Sequence, residues 1–197
     1  MPLGAFKAAL MGTAGVSTAD VVLLHDTDYS NATTAAITSG INSTYGEYIF
    51  KFYNINPATD AATFYFYGST DGGSNYGVTK TTTFGPYANH DEATDANTNF
   101  GYHTSKDVAQ ATDPHHLSYS LGNGADESLA GELHLFNPAS TTYVKHFYSR
   151  TVEYLSIDYA GENNSAGYFN TTSAITAVKF AFSSGNFDGT IKMWGVK

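Results

Sequence analysis

The amino-acid sequence predicts an all-β protein: a two-sheet antiparallel sandwich, jelly-roll-like, preceded by an extended N-terminal arm. Three observations carry this. Charged residues make up 14% of the chain, well under the roughly 25% of an ordinary soluble domain, which excludes coiled coils and bundles rich in Glu and Lys. Aromatics reach 15%, dominated by Tyr and Phe, residue types that suit half-buried pleated surfaces. No long window sustains the helical apolar period, whereas short aromatic and β-branched runs are punctuated by Gly, Pro, Asn and Asp.

The elements follow in order. Residues 21–25 form a short apolar run that Asp26-Thr27-Asp28 is expected to end. Residues 48–55 are dense in aromatic and β-branched side chains, and Asn56-Pro57-Ala58 breaks them because Pro cannot donate to a ladder. Residues 63–67 make the next strand. Asp71-Gly72-Gly73 reads as its tight turn and 76–84 as the return strand. Further strands are expected at 128–136, 142–149, 152–159, 167–171, 174–182 and 189–196, with Asp188-Gly189 as a hairpin turn between the last two. Lys179-Phe180-Ala181-Phe182 and Lys192-Met193-Trp194 alternate as a sheet with one wet face does. Helix is confined to 105–111, where Ser105 can cap and Asp107 sits in the first turn.

Two segments stand apart. Residues 1–19 read equally as a frayed terminus or as an extended arm whose Leu3, Phe6 and Leu10 cannot bury themselves and would dock on a partner. Lys7 interrupts what a signal peptide would need as its apolar core. Residues 20–197 then form one domain, interrupted by a polar surface excursion at about 85–114 with a short strand at 100–104. An internal echo, Gly46-Glu47 with Asn56-Pro57-Ala58 against Gly131-Glu132 with Asn137-Pro138-Ala139, suggests two similar hairpins.

Charge and composition exclude several functions. Nine Lys plus Arg against eighteen Asp plus Glu give a formal charge of −9, with none of the basic clustering that nucleic-acid phosphates select. Without cysteine there is no disulfide, thiolate nucleophile or Cys-ligated zinc. No run approaches the roughly 18 apolar residues of a membrane-spanning helix.

For chemistry, His90, Asp91, Glu92, Asp95, His103, Asp107, Asp113, His115 and His116 crowd the excursion, but their spacing matches no metal motif. No metal and no cofactor is expected, and a metal-assisted hydrolase is a minor reading. Glu47, Glu132, Glu153 and Asp158 are carboxylates that glycoside hydrolysis could use, yet nothing pairs them, and the first two hold equivalent places in the echo. No nucleophile elbow or phosphate loop occurs. Asn31, Asn42, Asn163 and Asn170 head Asn-x-Ser/Thr triplets expected by chance in so Thr-rich a chain. Tyr87, Tyr102 and Trp194 could bind a ligand by stacking, or line an interface. The expectation is a non-enzyme.

Three segments carry a likeness to known proteins: Phe136-Asn137-Pro138-Ala139 through Phe147, Gly167-Tyr168-Phe169-Asn170 through Ile175, and Ser183-Ser184-Gly185-Asn186-Phe187-Asp188-Gly189 through Val196. With Tyr45 to Phe50 and Ser69 to Gly73, they resemble a group of β-rich virion proteins of tailed phages that infect marine bacteria. The resemblance implies a structural virion protein and carries over no functional residue. Because an acidic chain does not suit a surface facing packaged DNA, it is expected on the virion's outer surface, made in the host cytoplasm. There it would be a capsid decoration (cement) protein, a homo-oligomer such as a trimer, gripping the major capsid protein or other virion proteins. The alternative is a tail-associated carbohydrate-binding receptor-recognition module.

Overall fold

The computed structural model describes residues 20–90 and 98–197. These form two antiparallel sheets packed face to face, a β-sandwich. The strands are β1 (Val21–Ala32), β2 (Ala35–Ile37), β3 (Glu47–Pro57), β4 (Phe64–Ser69), β5 (Lys80–His90), β6 (Thr98–Phe100), β7 (His115–His116), β8 (Leu129–Phe136), β9 (Lys145–Leu155), β10 (Tyr159–Phe169), β11 (Ala177–Phe182) and β12 (Phe187–Val196). The large sheet has the order β1-β12-β3-β8-β9-β10-β5-β6 and the small one β2-β11-β4-β7. Among the described residues no helix is long and apolar enough to cross a membrane.

Each small-sheet strand lies, in chain order, between two strands of the large sheet. That arrangement corrects three of the expected hairpins. Asn56-Pro57-Ala58 carries the chain from β3 in one layer to β4 in the other, and the loop of Asp71-Gly72-Gly73 carries it back to β5, which pairs with β10. Asp188-Gly189 is not a turn at all. Gly189 has φ +135° inside β12, where the register against β3 shifts. The echo is thus broken: its second half is a true β8–β9 hairpin and its first is a crossing between layers.

Other boundaries also move. β1 runs through Asp26 and Asp28 because both face solvent, where a carboxylate costs a strand little. The expected strands at 152–159 and 167–171 are absorbed into β9 and β10, with the turn at 156–158. The start of the excursion is strand, paired along β10 to His90, and β6 returns against it. Only a 3-10 turn, Thr104–Lys106, forms where a helix was expected.

The core between the layers is aromatic. Phe50 and Phe52 of β3 meet Phe64 and Phe66 of β4 and Phe180 of β11, with ring centroids 5.2 to 5.8 Å apart around Phe180. Alternation explains it: on β11 Lys179 points out, over the rings of Tyr67 and Tyr76, while Phe180 points in. Gly68 of β4 lies under the Phe169 ring, where a Cβ would stand 2.5 Å from Cζ. Since Phe169 is buried and cannot retreat, Gly68→Ala is expected to cost about 1–3 kcal/mol, read as a lower midpoint in urea. An unchanged midpoint would mean the layers separate freely there. The described chain closes on itself at one corner, where the Lys197 N–H donates to Asp20 O at 2.9 Å.

Candidate functional site

Four strands cannot cover eight. The small sheet reaches β9 and β10 at Phe147, Ser165 and Phe169, but over the Thr151–Leu155 end of β9 it gives out and a strap, residues 117–121, takes its place. Leu117 and Leu121 donate to Phe64 O and Ala62 O on one side, and Ser156 donates to Ser120 O on the other. The inner face beneath is polar: Lys80, Thr82, Ser149, Thr151, Glu153, Asn163 and Ser165 are all buried. His115, fully enclosed, shares a 2.9 Å hydrogen bond between Nε2 and Ser165 Oγ, which pairs in turn with Ser149 Oγ at 2.6 Å. Burial first, then His116 and Lys80 nearby, push the His115 imidazole down to about 3, so it is neutral at ordinary pH.

Where strap and sheet part, a cleft of about 320 Å³ opens. Its mouth is marked by Ile157, 63% exposed, and its floor by Glu153 and Asn163, 5% and 1% exposed. Glu153 Oε1 accepts from Asn163 Nδ2 at 2.7 Å and from the Tyr119 N–H at 2.8 Å. Glu153 Oε2 and Asn163 Oδ1 are buried and have no partner. Burial pushes the Glu153 carboxyl up to about 7, although Asn163 and the backbone of Tyr119 and Ser120 pull the other way. Tyr119 forms one wall, with the His103 ring edge-on at 5.0 Å and Lys106 Nζ 5.7 Å from its centroid. Gly161 pairs with Glu153 across the strands, and a Cβ there would stand 3.1 Å from Glu153 Cγ, so the glycine leaves the carboxyl its room.

The carboxylates weighed from sequence do not converge. Glu153 faces inward. Glu47 and Glu132 face outward and flank His134, at 2.5 Å from Nδ1 and 3.4 Å from Nε2. Exposed Asp158 accepts from the Tyr154 hydroxyl. A lone carboxyl titrating near 7 can accept hydrogen bonds or hold a proton, but among the described residues no second carboxylate joins it in the cleft for a two-acid hydrolysis.

Of the aromatic candidates, Tyr87 lines the cleft. Tyr102, 62% exposed, donates its hydroxyl to Asp107. Trp194 stands on β12, five strands from Tyr87 on β5, which at the usual strand spacing is about 24 Å. These three do not share one groove. Leu3, Phe6 and Leu10 lie outside the described residues. The histidines disperse: His115 is bonded to Ser165, and His116 packs edge-on against Tyr65 at 4.9 Å. Among the described residues no group of three His, Asp or Glu could hold a metal ion.

Trp194 belongs instead to a band on the outer face of the large sheet. Leu23, Trp194, Ile49, His134 and Tyr148 are direct cross-strand neighbours over five strands. Leu23 and Tyr148 are 47% and 42% exposed, and the His134 and Tyr148 rings stack at 4.6 Å. Val21 and Val196 extend the band on one side. Two residues along the strands it gives way to charge: Lys192 pairs with Asp26, Lys51 with Glu132, and Arg150 with Glu162. Apolar and charged side chains thus fall largely in adjacent rows on one face, with Glu47 the charged residue that stands beside Val196 and meets His134.

Comparison with known proteins finds no family model, no curated relative and no solved structure that matches the chain.

Proposed function

We propose that this chain is a non-enzymatic structural protein of a phage virion, a decoration protein held on the outer surface of the capsid through the outer face of its large sheet. The observation that carries the reading is the band from Leu23 to Tyr148. Protein interfaces have an apolar, aromatic centre within a polar rim, and this surface has that layout. The sequence likeness to virion proteins supplies the kind of partner: the major capsid protein or a neighbouring virion protein. The net charge of −9 suits a position away from packaged DNA.

Density from an intact particle tests the location. Copies distributed over the icosahedral shell support it, and copies confined to the tail reject it. The face is tested by the double variant Leu23→Glu/Tyr148→Glu. Both side chains are substantially exposed, and Tyr148 gives up its stacking on His134 next to Glu47 and Glu132, so the stability should fall by no more than about 2 kcal/mol and the chain stays folded. Occupancy on particles should fall at least about tenfold, as loss of an apolar anchor at an interface centre requires. Undiminished occupancy would remove this face from the interface.

A further inference from the structure

The cleft over Glu153 is the feature that an adhesive outer face leaves unused, and it opens on the opposite side of the large sheet. Two residues of its lining, Glu153 and Asn163, each carry a buried oxygen without a hydrogen-bond partner, Oε2 and Oδ1. Both are acceptors once the acid is ionised, so only a donor can satisfy them. Among the described residues no Lys, Arg or His pairs with the carboxylate, although a buried charge is ordinarily matched by an opposite one. The Lys106 ammonium by this wall lies over the ring of Tyr119, 5.7 Å from its centroid, and forms no ion pair with the acid.

We propose that this cleft binds an alkylammonium group, the end of a lysine side chain or of a free amine. An ammonium brings three donors and one charge. Two N–H groups meet the two orphan oxygens and the charge compensates the carboxylate, which a sugar hydroxyl would not do. A guanidinium fits less well. Its fork seeks both oxygens of one carboxylate, and Oε1 already accepts two hydrogen bonds, from Asn163 and Tyr119. Tyr119, Leu155 and Ile157 line the way in, and they suit the methylene stem behind the charged head. This inference stands apart from the virion reading and from its outer face.

The test is a titration of the whole protein at pH 8, followed by backbone NMR shifts, with n-butylammonium chloride as the probe. Saturable shifts are expected at Tyr119, Gly161 and Asn163. n-Butanol, of equal length and uncharged, should give none, nor should glucose. Glu153→Gln should weaken n-butylammonium at least about tenfold, the effect of removing the charged partner of a buried hydrogen bond. Cadaverine and Nα-acetyl-lysine methylamide separate the two sources: saturable binding of either supports the proposal, and the tighter of the two names the source. Equal binding of n-butanol or glucose would overturn it in favour of a neutral hydroxyl ligand. A linear, non-saturating response to every amine would overturn it outright, as would unweakened binding by the Gln variant. The n-butylammonium and n-butanol pair reads the selectivity on the unmodified chain, so the outcome does not depend on the variant folding.

Discussion

Glu153→Gln makes the unliganded protein more stable at pH 8, by about 3 kcal/mol. The size follows from linkage. Moving the carboxyl from an ordinary 4.5 up to about 7 in the fold is worth roughly 1.4 kcal/mol per pH unit against the native state once the group is ionised. The sign is that of a raised acid. Between pH 4.5 and 7 the folded chain holds a proton that the unfolded chain has lost, so the contribution of Glu153 to stability is present below 4.5, falls through this window and is flat above it. Gln keeps the acceptor for Asn163 and Tyr119 and carries no charge. The gap between variant and parent should therefore be near zero at pH 4 and full at pH 8, where it raises the thermal midpoint by roughly 6–12 °C for a chain of this size. Comparison at matched pH cancels His115 and His116, which are both pushed down by burial and lose stability as the pH falls below 6.5. A gap that does not change with pH, or a variant less stable at pH 8, would mean that the carboxylate has a partner in solution. A side chain that lowers stability where it faces a cleft is a common mark of a binding site.

Phe180→Ala removes the ring on which the two layers close. Phe180 is fully buried and has Phe50, Phe52, Phe64 and Phe66 around it. Rigid rings frame the hole on four sides, so the loss should reach the upper part of the Phe→Ala range, about 4–5 kcal/mol. Equilibrium urea unfolding reads it as a lower midpoint with an unchanged slope. A loss under about 1.5 kcal/mol would show that β11 collapses inward, and would make the small sheet a loose cover rather than half of the core.

Much of the architecture was legible because strands declare themselves through composition and alternation. The all-β class, the two antiparallel layers and the inward Phe180 and Phe182 against outward Lys179 all follow from local chemistry. The layer to which a strand returns does not. Asn56-Pro57, Asp71-Gly72-Gly73 and Asp188-Gly189 carry correct turn or bulge chemistry, but a link between layers and a hairpin within one draw on the same residues. The candidate cleft was illegible for a related reason. With one strand ended at Ser149 and another begun at Val152, the strand that carries Glu153 has no fixed parity against the buried face of the first. Once β9 is continuous, Ser149, Thr151, Glu153 and Leu155 share the inward parity, and an acid at an inward position is the available signal. Asn163 read only as one of several chance Asn-x-Ser triplets. Its partner becomes visible when β10 is laid against β9.

Because Lys197 and Asp20 meet at the margin of the large sheet, where β1 lies against β12, the direction of a mechanical load matters. Tension applied through both ends would peel these two strands apart like a zipper, one rung at a time from Val21 and Val196. Tension applied along the strands at opposite ends of this pair would instead load every rung of the β1–β12 ladder at once, so the same two strands resist the two directions of pull very differently.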